Sequence, residues 1–431
     1  MNRPRLTRRA VLRGAAGAAA ATVLGGAGSG CAGSGGRTQV AVVWTGHELA
    51  MFRRVLRDYP EPIDVISAGD DIDALVRARQ RAGTSPDVAI VPRPGLIRGY
   101  VERGWLAPIQ ARVKARFPPT WNDQLRVDGE VFGAWVKSAH KSLFWYLPSL
   151  LSGPPSTWDE LVAYVGERAA ASGPAPLAIG AADGWALTDW LDNLLAATVP
   201  ARSGLDHDLA AGEPRWGHAA VREAFAEVAR VWSVPGAFPG GGRRALVTQF
   251  DASVIEVTGG EAVMMGGADF VTGFAEQFPP EPPDRGLGWF RFPPVDGTQR
   301  VVVGGDAAVV LHDSPAGHRL VEWLTRPGAF DPWLEAGGYL TPSDSAAMAD
   351  YPPGFTRELA QDIRQPSVRF DLSDQLPGTA SGRDGVGSWL VLQDFFADVT
   401  APSPDVGAAI DRAVGRLDEA VVAAREVLAD G

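Results

Sequence analysis

The stretch Gln39-Val40-Ala41-Val42-Val43-Trp44-Thr45-Gly46-His47-Glu48 decides how this chain folds. Its first six residues form an apolar run of strand length, the pattern of a buried strand. Over residues 47–59 the period becomes helical, with Leu49, Phe52, Val55 and Leu56 on one face. The alternation then repeats. Residues 63–67 read as a strand, and residues 71–82 as an amphipathic helix carrying Ile72, Leu75, Val76 and Ala78. Residues 87–91 read as a third strand, and residues 96–103 as a helix stopped by Gly104. Strands and helices alternating over short links predict parallel strands joined by right-handed crossovers. Such sheets bind ligands beyond the carboxyl ends of the strands, where strand order reverses. Two loops therefore stand out: the one from Trp44 to Glu48, and Val91-Pro92-Arg93-Pro94-Gly95.

Upstream, Arg8-Arg9 opens a basic stretch, an Ala/Gly-rich run covers residues 14–26, and Gly28-Ser29-Gly30 precede Cys31. A charged start, a short apolar run and small residues before a cut describe a secretory signal. The arginine pair gives it twin-arginine character. Residues 1–31 are expected to be that signal, with Cys31 the lipid-bearing residue at the cut and residues 32–37 a flexible tether. The competing reading of Cys31 is a leftover structural cysteine. Gly28 stands where bacterial lipoprotein signals usually carry Leu.

Downstream, residues 131–135 and 142–146 look extended, and Thr157 with Glu160 has the spacing of a capping box. Residues 177–180, 263–265, 287–292 and 301–311 read as strands, the last interrupted by Gly304-Gly305-Asp306. Residues 185–197, 221–232 and 406–428 read as helices.

Composition narrows the function. Beyond the leader about 400 residues remain, enough for two sizeable cores. A net charge of −11 argues against nucleic acid, which needs a concentrated positive surface. The six histidines are scattered, and the single cysteine allows neither a zinc cluster nor an internal disulfide. No phosphate-binding loop, dinucleotide fingerprint or hydrolase elbow occurs, so no cofactor, metal or catalytic residue is assigned.

Several stretches together carry a family resemblance. They are Trp44-Thr45-Gly46, Ser85-Pro86-Asp87-Val88-Ala89-Ile90-Val91-Pro92-Arg93-Pro94-Gly95-Leu96 and Gly104-Trp105-Leu106-Ala107-Pro108. Next come Phe132-Gly133-Ala134-Trp135-Val136-Lys137, Lys141-Ser142-Leu143-Phe144-Trp145-Tyr146, Thr157-Trp158-Asp159-Glu160-Leu161 and Gly184-Trp185-Ala186-Leu187-Thr188-Asp189-Trp190-Leu191. Last are Val303-Gly304-Gly305-Asp306, Gly337-Gly338-Tyr339-Leu340-Thr341-Pro342 and Phe370-Asp371-Leu372-Ser373-Asp374-Gln375-Leu376-Pro377. In this order they resemble the family 1 extracellular solute-binding proteins, receptors of carbohydrate ABC importers, and are most similar to the alpha-glucoside-binding branch. The resemblance implies an α/β, two-lobed periplasmic-binding-protein-like fold of type II, with a central cleft and a hinge. It places one lobe at 38–138 and 297–340 and the other at 139–296 and 341–431. It implies a carbohydrate ligand, most readily an alpha-glucoside, and permease subunits as partners. It also implies a monomer on the outer face of the cytoplasmic membrane. Residues 198–219 and His47, where the branch carries an acid, depart from its pattern.

A pyranose offers C–H faces to aromatic rings and hydroxyls to carboxylates, amides and cations. Of the fourteen tryptophans, Trp44 ends a strand at the expected switch point and Trp185 opens a helix. Trp190, five residues on, cannot share the face of Trp185. Glu48 sits in a first helical turn, where it either meets ligand or answers the helix dipole. Asp189, Asp269 and Asp306 lie near glycines that let backbone approach a ligand. The chain has three lysines, and two, Lys137 and Lys141, fall at the expected hinge. His140 between them reads equally as a ligand contact or a satisfied buried histidine. Candidate contacts are thus Trp44, His47, Glu48, Arg93, His140, Lys141, Trp185, Asp189, Asp269, Asp306 and Tyr339. The rival readings are a carbohydrate-active enzyme, which needs two carboxylates about 5–9.5 Å apart, and a sugar sensor not coupled to transport.

Overall fold

The computed structural model describes residues 36–200, 203–279, 286–377, 380–381 and 387–429. The expected signal, Cys31 and residues 32–35 of the tether lie outside them. Thr38–Val42 (β1), Gly46–Val55 (α1), Ile63–Ser67 (β2), Ile72–Arg81 (α2), Val88–Val91 (β3) and Gly95–Glu102 (α3) alternate as the apolar period requires. Leu106–Ala107 (β4) and Ala134–His140 (β5) follow. The chain then forms Leu143–Tyr146 (β6), Trp158–Ala170 (α4), Ala175–Ala178 (β7), Trp185–Thr198 (α5) and Ala219–Trp232 (α6). Next are Phe250–Thr258 (α7), Ala262–Gly266 (β8), Val271–Ala275 (α8), Gly288–Arg291 (β9) and Val302–Leu311 (β10). Phe355–Asp362 (α9), Arg369–Phe370 (β11), Leu372–Gln375 (α10), Ser388–Val399 (α11) and Val406–Ala429 (α12) complete the architecture used below.

Two sheets organise these elements. The first runs β11-β10-β3-β1-β2, with β4 and β5 also paired to β10. β1 is parallel to β2 and to β3, as the crossovers require. β10 turns antiparallel against β3 and β5, with a bulge between Asp306 and Ala307. Strand order reverses between β1 and β3, so the ends carrying Trp44 and Arg93 flank one crevice. The second sheet runs β9-β6-β8-β7. The chain passes from the first sheet to the second between His140 and Leu143, and back between Arg291 and Val302. Leu340 bridges Ser138 of β5, and beyond it Tyr351, Leu359 and Ile363 join the first core.

Packing follows the same division only in part, since Leu143, Trp145, Ala262 and Met265 of the second sheet belong to the first cluster. Val40, Val88, Ile90 and Val309 build one hydrophobic cluster. Phe144, Trp158, Leu194, Phe225 and Phe395 build another. α5 is apolar nearly all round and every residue from Ala186 to Ala196 is buried, as expected of a helix enclosed on all sides. Its few polar residues in that stretch, Thr188, Asp189, Asp192 and Asn193, are therefore carried inside. At the start of α4, Thr157 Oγ1 accepts the Glu160 N–H at 3.2 Å. The Glu160 carboxylate turns instead to the N–H and hydroxyl of Ser156, at 2.8 and 2.7 Å. Among the described residues no helix is long and apolar enough to cross a membrane.

Candidate functional site

A cavity of about 350 Å³ opens where the carboxyl ends of β1 and β3 face α5, α7 and α8. Its floor is β5 and the residue after it. Side chains alternate along a strand, so Lys137, Ala139 and Lys141 share one face and all three line the cavity. His140 necessarily faces the other way. Trp44, Glu48, Arg93, Lys141, Trp185 and Asp306, all candidates from the sequence, meet on the cavity wall.

Lys137 is 2% exposed, with its ammonium 3.2 Å from Glu48 Oε1. The same ammonium lies 5.5 Å from the Phe270 ring centre and 5.9 Å from that of Trp333. Burial alone would lower its pKa, but the carboxylates of Glu48, Asp269 and Asp306 outweigh burial and hold it above the ordinary value. Asp306 is aimed by the β-bulge. Burial pushes its carboxyl up to about 6 against the opposing pull of Lys137. Trp44 Nε1 donates to Asp306 Oδ2 at 2.8 Å. The Trp44 ring packs edge-on against Phe52 and Trp333 and is only 2% exposed, so it braces the wall more than it offers a face. Gly305 beside it has to be glycine, since a Cβ there would stand 2.4 Å from the Lys137 carbonyl oxygen.

Lys141 holds a second charged centre. Its ammonium donates to Asp371 and, at 2.9 Å, to Asp374 Oδ2, and lies 3.3 Å from Asp189 Oδ1. Burial opposes its charge, yet Asp189, Asp371 and Asp374 keep its pKa well above the usual value. One ammonium does not neutralise so many acids. Burial and the neighbouring carboxylates push Asp189 up to about 7 and Asp374 up to about 6. Burial would raise Asp371 too, but Lys141, a hydrogen bond with Asp192 and the Ser373 hydroxyl depress it. Burial and the Asp371 carboxylate push Asp192 well above the ordinary carboxylate range.

The other candidates lie elsewhere. His140 is fully buried, its Nδ1 accepting the Ser142 N–H at 3.3 Å and its Nε2 lying 3.3 Å from Asp362. Asp269 Oδ1 accepts the His140 N–H at 2.7 Å. Tyr339 stacks on Phe330 and donates its hydroxyl to the Val136 carbonyl. Asp189 faces Lys141 behind the wall, and His47 lines a neighbouring notch. Trp190 belongs to the second core. Wall residues absent from the sequence candidates include Lys137, Phe250, Phe270, Asp374 and Trp389. The lysine count pointed to Lys137, and Asp374 lies within a quoted stretch. Phe250, Phe270 and Trp389 sit in segments whose local pattern only says helix.

Aromatic faces beside Lys–carboxylate pairs form a surface that can stack on C–H groups and exchange hydrogen bonds with hydroxyls. Among the described residues no group of three or more His, Cys, Asp and Glu side chains can hold a metal ion.

Comparison with known proteins agrees with this geometry. The bacterial extracellular solute-binding protein family matches residues 63–329. The osmoprotective compounds-binding protein of Synechocystis sp. is 27% identical over 396 residues, 86% of this chain and 91% of that protein. The alpha-glucosides-binding periplasmic protein of Rhizobium meliloti is 28% identical over 403 residues, 86% of this chain and 85% of that protein. The maltotriose-bound maltose/maltodextrin-binding domain of Bdellovibrio bacteriovorus superposes with a TM-score of 0.66 at 14% identity, covering 90% of this chain and all of that one (100%). That likeness is one of fold.

Proposed function

Because the chain belongs to the bacterial extracellular solute-binding protein family, we propose that it is a non-enzymatic receptor that captures an oligosaccharide, most readily an alpha-glucoside. In this reading it delivers the sugar to the permease subunits of an ABC importer. The observation that carries it is the cavity itself, where Trp185, Phe250 and Phe270 stand opposite Glu48, Arg93 and Lys137. The alpha-glucosides-binding relative supports the choice of sugar, and the osmoprotective compounds-binding relative supports the role of a solute receptor. Binding is coupled to closure of two lobes about the passages at 140–143 and 291–302, with solute favouring the closed form. The lobes are taken as the two sheets with their helices; residues 341–370, expected with the second lobe, go with the first, since β11 pairs with β10 and Tyr351, Leu359 and Ile363 join the first core. The receptor works as a monomer held by a lipid on Cys31 after twin-arginine export.

A thermal-shift screen against maltose, trehalose, sucrose and their longer homologues tests the ligand class, since a solute bound only by the folded state raises the melting point. Trp185→Ala is expected to cost about 2–4 kcal/mol of binding with little loss of stability in the empty protein. Trp158, fully enclosed and stacked on Phe292, is the control: Trp158→Ala is expected to cost about 3–5 kcal/mol of stability through a cavity. Normal binding with early unfolding in Trp185→Ala would place that ring in the core and sink the site. For the anchor, Cys31→Ser is expected to move the protein from the membrane fraction to the soluble one. A wild type already soluble after export refutes the anchor.

A further inference from the structure

The cavity continues past Glu48. Glu48, Phe270 and Phe274 line it and also line a notch on its far side, bounded by His47, Gly273 and Trp333. The notch admits only about 10 Å³, against about 350 Å³ in the cavity. That is at most the room of a single water. One ring closes it. His47 lies in the first turn of α1, beside the first sheet, and Gly273 lies in α8, beside the second. A methyl group on Gly273 would stand 2.9 Å from His47 Cδ2 and 3.4 Å from Nε2. The imidazole therefore rests on bare backbone, and any larger residue at 273 would push it away. The contact bridges the two halves at one flank of the cavity. It lies at the site without lining its main volume.

We propose that His47 sets the length of the solute: its ring on Gly273 walls off the notch, so a saccharide is stopped there after one or two rings. The inference rests on the saccharide reading of the cavity. A further ring at this end has to displace the imidazole or hold the two halves apart. Either way the solute loses contacts that the aromatic walls make only when both halves meet it.

Calorimetric titration with two pairs of probes, maltose with maltotriose and sucrose with raffinose, tests this on the full chain. The variants are His47→Ala and His47→Phe, with melting curves to confirm that each is folded. The wild type is expected to prefer the disaccharide of at least one pair by about tenfold or more. His47→Ala is expected to shrink that preference to about threefold or less by tightening the longer sugar. His47→Phe, which keeps a ring on Gly273, is expected to retain the preference. A ratio unchanged in His47→Ala overturns the inference, as does equal binding of short and long sugars by the wild type. Either result leaves the saccharide reading standing. Failure of all four sugars to bind the wild type overturns both.

Discussion

Lys137 and Lys141 lie four residues apart on the same face of one strand edge, and both are buried among carboxylates. Their surroundings nevertheless differ in kind. Lys137 meets Glu48, which keeps 22% of its side chain exposed, and two aromatic rings. Lys141 meets Asp189, Asp371 and Asp374, whose side chains are 8%, 1% and 12% exposed. Those acids come from α5 and from the start of α10, and the Asn193 amide holds the Lys141 carbonyl at 2.9 Å. Around Lys137 the nearest partner, Glu48, can swing toward water or solute while Asp269 and Asp306 stay fixed by the His140 N–H and the Trp44 indole, so part of its charge is available to a ligand. Around Lys141 the partners cannot, so its charge fastens separate chain segments at the passage between sheets. Burial and pairing look alike in the two places, and the freedom of the partner decides the role.

The largest effect expected from this contrast is on Lys141. Removing one member of a buried charge cluster leaves the rest uncompensated, which costs about 3–5 kcal/mol. Lys141→Met is therefore expected to lose that much stability at pH 7 in chemical unfolding, and to recover part of it in acid as the freed carboxyls take up protons. A variant as stable as the wild type would erase the distinction between the lysines. Lys137→Met is expected to act on binding instead, weakening the sugar by about 1.5–3 kcal/mol, the worth of hydrogen bonds to a charged group. Its cost to stability is expected to be smaller, because Glu48 can turn to solvent and Asp306 can keep a proton. Titration calorimetry beside unfolding curves separates the two effects, and equal stability losses in both variants would break the comparison.

The smallest effect is in the pH profile. Asp189, Asp374 and Asp306 are raised to about 7, 6 and 6, above the ordinary carboxylate value of about 3.9. Between those limits the folded protein binds more protons than the unfolded chain. The stabilisation is full below the unfolded value and is lost as pH rises through the folded ones. Asp371 and Asp362 are lowered and work in the opposite sense, losing their contribution only as pH falls through their own depressed values. The empty protein is thus expected to gain about 1–3 kcal/mol on going from about pH 7.5 to pH 5.5. Of these three, Asp189→Asn is expected to flatten the curve most, because its midpoint is the highest of them. Stability that falls steadily over the same interval would contradict the carboxyl assignments.

The strand and helix pattern of the first hundred residues was legible because each element is short, strongly periodic and buried on a single side or on both. Asp87 at the edge of β3 is a structural group: it accepts the Gln39 N–H and the Ser314 hydroxyl, tying β1 to a helix start. The site was legible in proportion to how much of it sits at strand ends. Trp44, Glu48, Arg93 and Asp306 reach the cavity by that route. Asp189 did not follow its neighbour Trp185, because α5 is enclosed on all sides and turns the carboxyl toward Lys141. Strand alternation alone separates His140 from Lys141, so a strict period of two would have kept only one of them. Phe250 and Phe270 face the cavity through the packing of α7 and α8 on the second sheet, a long-range fact without a local signature.

One strand supplies both the cavity floor and the approach to the passage between the sheets, and this constrains how such a receptor can be adapted. A change at Lys137 or Lys141 meant to suit another sugar also alters the element on which closure depends. Trp185 and Phe250 stand on separate helices of the facing half, and each can vary with little disturbance to β5, whereas Phe270 touches Lys137. Drift in preference within a lineage of these receptors, and any laboratory selection for a new solute, should accumulate on that facing wall while the lysine-bearing strand stays as it is.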